Sequence, residues 1–458
     1  MVVGEKMTGK NIILITIDSL RADHISCLGY SRLTTPNLDN IANEGILFTQ
    51  AIATGPETRP SITSILTSTY PLMYGGYSSF FNKRRISLAE ILKENGYTTA
   101  AFHSNPYLSK FYGYDRGFDI FQDFLKVSPL REEVKKFKEY IKIKYKHLFD
   151  FSRRVYGKVY NFIRKLEPID ECANAEAINK EAISWLKNNS SNFFLWLHYM
   201  DTHANYAPPK NYKPSYISLK EVRKLNENIH NTKGENNVKK LIDLYDGEIR
   251  YVDYNIGLFL NELKKMRISD DTFIIITADH GEEFGEHGGY MHTPKLYDEL
   301  IRVPLIIIGP ELENRIISKQ VSLLGLAPTV LDLLNIKKPI TFQGDSLLPL
   351  MKGMKTEFSD AISEVCVWEK DPFKIDLKKR KTSLRTEQWK YILNEDGSEE
   401  LYNLQDDPRE RKNLVEKERE KVIKFKSKIM KHILTEQEMD EKEKLREKIK
   451  MLKKVKKI

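Results

Sequence analysis

A chain of 458 residues is too long for one small core and calls for a large domain with a smaller companion. Its content of 41% hydrophobic and 10% aromatic residues excludes wholesale disorder, and its longest apolar runs, 11–17 and 303–308, are far short of a bilayer span. The formal charge of +9 is uneven, with the excess in residues 126–165 and beyond Asp440, and the three cysteines, Cys27, Cys172 and Cys366, are scattered without metal-ligand spacing.

The first ten residues are polar and carry no apolar signal region. With the scattered cysteines, this gives the expectation of a cytoplasmic protein. Residues 11–17, NIILITI, read as a buried strand with Asp18 at its carboxyl end. Residues 36–45 read as a helix closed by Gly45, and 87–105 as a helix stopped at Gly96 followed by a strand. A second buried strand, 192–200, precedes Asp201 and His203. Residues 241–266 form a long amphipathic helix, 271–283 a strand ending at Asp279–His280, and 303–310 one more strand.

Strands alternating with helices predict a three-layer α/β/α sandwich with a mainly parallel sheet. From about Gly353 the pattern changes to a small antiparallel subdomain with one packed helix, and Asn394–Gly397 reads as a hairpin turn. The expected organisation is a catalytic domain over 1–352, a subdomain over 353–435 and a charged helical tail over 436–458. Residues 126–165 interrupt the first domain with thirteen Lys/Arg against four Asp/Glu and interleaved aromatics. They read as a basic helical insertion, either packed on the main domain or turned to an anionic membrane surface. The basic tail lacks an aromatic stacking pattern, so a nucleic-acid partner is not expected.

Several polar clusters fall just after strand carboxyl ends, the edge where open α/β sheets bind ligands. Asp18, Asp279 and His280 can meet there. Two carboxylates and an imidazole suit one divalent cation, the nitrogen favouring Mn²⁺, Zn²⁺ or Fe²⁺ and the oxygens Ca²⁺ or Mg²⁺. A hydroxyl from the segment 53–71 would complete the set and serve as nucleophile.

The motifs IDSLRADHISCLGY (17–30), TRPSITSILTSTYP (58–71), HYMDTHANYAPP (198–209), ADHGEEFGEHGG (278–289) and ELYNLQDDPRERKNL (400–414) follow one another in the order of the sulfatase family, within the alkaline-phosphatase superfamily. The resemblance covers nearly the whole chain except the basic insertion and the tail. It implies a metal-dependent ester hydrolase or transferase acting on a small or lipid- or sugar-linked phosphate or sulfate ester. It also implies metal ligation by Asp18, Thr58, Asp279 and His280, and places Thr58 at the nucleophile position. Sulfatases carry there a cysteine or serine that is oxidised to formylglycine, which threonine cannot become. The arginine that family members place four residues on is Ile62 here. Both departures resemble the phosphoglycerol-transferase-like members, which act on phosphodiesters, and phosphodiester chemistry is therefore the favoured expectation. Ser61 is the alternative nucleophile under a shifted register.

Ser19 stands where many sulfatases have a second metal-binding aspartate, and His280 where Ca²⁺ sulfatases have asparagine. Both departures favour Mn²⁺ or another transition metal. The resemblance gives His203, His292 and Lys295 as candidates for the leaving-group acid, and Asn105 and Arg59 for substrate binding. His198 reads as a core or supporting residue, and Glu282 and Glu283 as helix-start carboxylates. Asp201 with His203 and His292 offers a second metal site as a minor alternative. Two rival readings remain: a sulfuric ester hydrolase that works without formylglycine, and a non-catalytic scaffold or membrane-surface protein that keeps the fold.

Overall fold

A computed structural model describes residues 10–77, 84–124, 173–356, 360–367 and 375–455. The basic segment 126–165, on which the membrane-surface expectation rested, lies outside them.

The central sheet is built from β1 (Asn11–Ile17), β2 (Ile46–Ile52), β3 (Thr98–His103), β4 (Ile120–Gln122), β5 (Phe193–Tyr199), β6 (Thr272–Ala278), β9 (Arg302–Ile308), β10 (Arg315–Ile317) and β11 (Val321–Ser322). Its order is β10-β2-β9-β6-β1-β5-β3-β4, with β11 also on β2. Only β9 runs against the others, pairing antiparallel with both β2 and β6. The central strands β1, β5 and β6 are buried along their whole length, as expected of parallel strands covered on both faces. Helices α1 (Pro36–Glu44), α4 (Ala175–Lys187) and α6 (Glu235–Lys265) pack as one group, and α2 (Thr58–Thr67), α3 (Leu88–Glu94) and α8 (Leu326–Leu333) as another. Helix α5 (Leu219–Glu227) lies between β5 and α6 in the chain.

Local chemistry sets the ends of these elements. Ser87 caps α3 in a reciprocal box with Glu90, and Ser218 caps α5 in the same way with Glu221. Helix α6 begins at Glu235, earlier than the apolar pattern from residue 241 shows, because its first turn is polar. The expected strand over 271–283 ends at Ala278. Beyond it Glu283–Phe284 (β7) pairs with Tyr290–Met291 (β8) in a small hairpin, so Glu282 and Glu283 do not begin a helix. Glu282 accepts from the Tyr206 hydroxyl, and Glu283 accepts from Lys295 and Thr293.

The short helices α7 (Asp298–Ile301) and α9 (Leu348–Met351) precede β9 and the C-terminal part. There β12 (Ala361–Cys366), β13 (Arg380–Arg385), β14 (Trp389–Leu393) and β15 (Glu399–Asn403) form an antiparallel meander. The hairpin turn before β15 carries Gly397 at φ +84°, a conformation that favours glycine. Helix α10 (Arg419–Val455) covers the meander through Val422, Phe425 and Ile429 on Leu384, Tyr391 and Leu401. It runs unbroken across the expected junction at 435/436. Among the described residues no helix is long and apolar enough to cross a membrane.

Candidate active site

The register of three adjacent strands assembles the site. Ile17 pairs with Tyr199 on β5 and with Ala278 on β6, so the residues that follow leave the sheet side by side. The Asp18 N–H donates to the Tyr199 carbonyl at 2.9 Å. Asp18, Asp279 and His280 are fully buried at this edge. Thr58 reaches them from the first turn of α2, with Glu57 at the cap position. Its Oγ1 lies 3.3 Å from Asp18 Oδ2 and 3.3 Å from His280 Nε2.

The hydrogen bonds around this cluster leave specific lone pairs pointing inward. Asp279 Oδ1 accepts from the N–H groups of Ser19 (3.2 Å) and His280 (2.8 Å), whereas its buried Oδ2 has no hydrogen-bond partner among the described residues. His280 Nδ1 donates to the Gly281 carbonyl at 2.8 Å. That bond places the ring proton on Nδ1 and leaves the Nε2 lone pair facing Thr58, Asp18 and Asp279. His280 Nε2 stands 3.6 Å from Asp18 Oδ1 and 3.7 Å from Asp279 Oδ2.

The two carboxylates respond oppositely. Burial raises the Asp18 carboxyl, but the imidazoles of His203, His198 and His280 outweigh it and hold it well below the usual range. Burial, and then the neighbouring Asp18 charge, push Asp279 well above it. Two buried carboxylates this close stay charged together only beside a cation. The orphaned Asp279 oxygen, the inward lone pair of His280 and the low Asp18 carboxyl therefore fit one divalent ion. The Gly281 bond to the far side of His280 is the support a metal-ligating imidazole usually has.

The other expected residues fall into three positions. Asn105 is in the cluster: its Nδ2 donates to Asp18 Oδ2 at 2.9 Å while its Oδ1 accepts from Tyr107 N at 2.9 Å. His203 and His292 form a pair beside it, Nε2 to Nε2 at 3.2 Å, with the His292 ring 4.8 Å from that of His280. His203 Nδ1 donates to the Ala204 carbonyl, and buried His292 Nδ1 has no hydrogen-bond partner among the described residues. Burial, with His280 and His203 nearby, pushes the His292 imidazole well below its usual range, so it is neutral at pH 7. Lys295 is engaged elsewhere, its ammonium donating to Glu283 Oε1 (2.9 Å) and the His287 carbonyl (2.8 Å). The Arg59 guanidinium lies over the rings of Tyr77 and Tyr107, at 5.9 and 5.7 Å from their centroids.

Asp201 faces the start of α4, accepting from Ala175 N at 3.0 Å. His287 is bonded to Glu299 and stacked on Tyr297. Ser61 donates to the Gly55 carbonyl at 2.7 Å. One residue read from sequence as supporting lies closer than that. His198 Nε2 is 3.3 Å from Asp18 Oδ2, and its Nδ1 is 2.9 Å from Thr16 Oγ1. The sequence shows it as a residue of a buried strand, and the parallel register brings it beside Thr16 and Asp18.

This architecture defines an α/β enzyme whose site sets a hydroxyl at a helix N-terminus against a buried acid–imidazole cluster. The family profile described as Sulfatase matches residues 10–336, and that of the N-sulphoglucosamine sulphohydrolase C-terminal region matches 285–440. The chain thus belongs to the sulfatase family of ester hydrolases, in the alkaline-phosphatase superfamily. It is 25% identical to an ulvan-active sulfatase of Formosa agariphila, over 90% of this chain and 78% of that one. It is 27% identical to an N-acetylglucosamine-6-O-sulfatase of Bacteroides thetaiotaomicron, over 90% and 83%. Among solved structures it superposes on a phosphonate monoester hydrolase of Agrobacterium radiobacter with TM-score 0.69 and 20% identity, covering 94% of this chain and 96% of that one. A structure in complex with D-glucosamine-2-N,6-O-disulfate gives TM-score 0.69 and 21% identity, covering 95% and 99%.

Proposed function

We propose that the protein cleaves a phosphorus or sulfur ester of a small molecule with Thr58 as nucleophile. The observation that carries this reading is the Thr58 hydroxyl within 3.3 Å of both Asp18 and His280 at the N-terminus of α2. A divalent ion held by Asp18, Asp279, His280 and Thr58 would supply the charge that lets this hydroxyl ionise at neutral pH. The Thr58 hydroxyl gives its proton to solvent, and its oxygen bonds to the phosphorus or sulfur as the ester bond to the leaving oxygen breaks. The leaving oxygen takes its proton from His203, which stands beside neutral His292. Water, or an acceptor alcohol, then gives a proton back to His203 as it displaces Thr58, and the released Thr58 oxygen takes up a proton from solvent to restore the hydroxyl.

In this reading Asn105 and Arg59 hold the nonbridging oxygens, with Asn105 exchanging its bond to Asp18 for one to substrate. Lys295 acts through Glu283 and the β7–β8 hairpin that carries His292 close by. We keep the cytoplasmic location as part of the proposal; among the described residues Cys27 and Cys366 are both free.

Two features support different substrates. Threonine at position 58 cannot give formylglycine, which supports a phosphodiester or phosphonate ester. The relatives from Formosa agariphila and Bacteroides thetaiotaomicron are sulfatases, which supports a sulfate ester cleaved without formylglycine. Paired aryl sulfate, phosphonate monoester and phosphodiester substrates, tested on metal-supplied wild type and Thr58→Ala, separate them. Cleavage of any of the three that is lost in Thr58→Ala supports the nucleophile, and the preferred substrate names the centre. Undiminished activity in Thr58→Ala would sink it.

A further inference from the structure

A second set of ligand atoms converges where α10 crosses the C-terminal sheet. Glu364 lies on β12, and its backbone N–H donates to the Thr54 carbonyl at 2.8 Å. Its side-chain Oε2 accepts from Leu72 N at 3.3 Å. His432 and Glu436 stand one turn apart on α10, a spacing that puts both side chains on one helix face. His432 Nε2 is 3.0 Å from Glu364 Oε1 and 3.6 Å from Glu436 Oε1, and the three atoms lie within 4.8 Å of one another. Two ligands on one tetrahedral ion at ordinary bond lengths are about 3.4 Å apart, so these separations need little adjustment.

The Glu436 carboxyl supplies an independent sign. It is buried, its Oε2 accepts from Arg380 Nη2 at 2.6 Å, and its Oε1, directed to His432 and Glu364, has no hydrogen-bond partner among the described residues. Glu364 is likewise fully buried. The Tyr70 ring meets the His432 ring edge to face at 4.4 Å and fixes its plane. Glu364 and Glu436 bring two carboxyl groups to His432, with the Arg380 guanidinium 2.6 Å from Glu436 and 3.8 Å from Glu364.

We propose that Glu364, His432 and Glu436 bind a divalent transition-metal ion of the zinc type, separate from the Thr58 site. The imidazole selects such an ion over Ca²⁺ or Mg²⁺, and Arg380 is the outer partner that orients Glu436. The ion ties α10 to β12, which touches the chain on both sides of the nucleophile helix, at Thr54 and at Leu72. Its role is structural: it joins the last helix to the frame that holds α2.

The test is metal stoichiometry of the full chain, stripped with chelator, dialysed against Co²⁺ alone and desalted. His432→Gln is expected to hold one Co²⁺ per chain fewer than its parent, both in the wild-type and in the Asp279→Asn background. Glu436→Gln gives the same loss by an independent substitution. In Asp279→Asn, Zn²⁺ raises the melting temperature, and the rise disappears with His432→Gln added. Equal Co²⁺ content with and without His432→Gln overturns the proposal. So does a Zn²⁺-induced rise that survives that substitution, since the cluster is then an ion-pair network in which protonated His432 balances the charge.

Discussion

His280 presents Nε2 to Thr58 at 3.3 Å because its Nδ1 is held by the Gly281 carbonyl at 2.8 Å. The ring therefore has one tautomer available, and the lone pair and the hydroxyl share the same small volume with Asp18. Thr58→Ala is expected to lower kcat by about 10³-fold or more, the scale of losing a nucleophile activated in place. Thr58→Ser keeps the hydroxyl and should retain activity within about tenfold of wild type. Steady-state kinetics on the best of the three paired substrates checks both. A serine variant as dead as the alanine variant would show that the methyl group, not the hydroxyl, matters.

The Asp18–Asp279 pair makes a prediction about the metal-free protein. Burial and the Asp18 charge raise the Asp279 carboxyl, so Asp279 contributes stability at low pH that is lost as the pH rises. Asp279→Asn removes the titration. In chelator-treated protein, the stability of wild type relative to Asp279→Asn should fall between pH 5 and pH 8, read from urea midpoints. Chelation should also lower activity by about 100-fold or more, with recovery on adding Mn²⁺ or Zn²⁺. Parallel urea curves would mean that the two carboxylates tolerate each other without a cation.

The His203–His292 pair is expected to matter in proportion to how much the leaving oxygen needs a proton. His203→Ala and His292→Ala should each lower kcat by about 10²-fold or more on an alkyl ester. On a nitrophenyl ester, whose leaving group departs unprotonated, the loss should be about tenfold or less. Lys295→Ala, with its ammonium on Glu283 and the His287 carbonyl, should show no such dependence. A leaving-group dependence appearing in Lys295→Ala and absent from the histidine variants would reassign the acid.

Residues that end strands were legible in sequence, and residues brought in by register or by side-chain competition were not. Asp18 and Asp279 each follow an apolar run that reads as a buried strand, so their meeting at one edge follows from the parallel alternation. His198 looks like any buried residue of β5 until the Thr16–His198 pairing places it against Asp18. Lys295 has the right chemistry for an acid, yet Glu283, from the β7–β8 hairpin, captures its charge; a two-residue strand leaves no periodic signal. The strands β10 and β11, of three and two residues, are too short for a periodic signal as well and were missed. Helix α10 reads as two pieces because its charged turns hide Glu436, whose buried contacts come from Arg380 far away in the chain.

The seam between the two parts of the molecule carries a pH-sensitive group. Glu410 accepts from Asp298 N, and its carboxylate lies 2.8 Å from Lys390 Nζ, which also bonds Asp298 at 2.9 Å. Burial, only partly offset by Lys390 and reinforced by Asp298, pushes the Glu410 carboxyl up to about 7 from its ordinary 4.5. A raised carboxyl binds its proton more tightly in the folded state. Its contribution is therefore fully present below about pH 4.5 and is lost as the pH rises to about 7. Glu410→Gln mimics the protonated form and removes the dependence. Between pH 5 and pH 8 the stability of wild type relative to Glu410→Gln should fall by about 2 kcal/mol. Urea unfolding of both proteins at the two pH values reads this directly. A relative stability that rises with pH would mean that Lys390 pairs with an ionised Glu410 throughout, and that the charged form is the one the seam is built to hold.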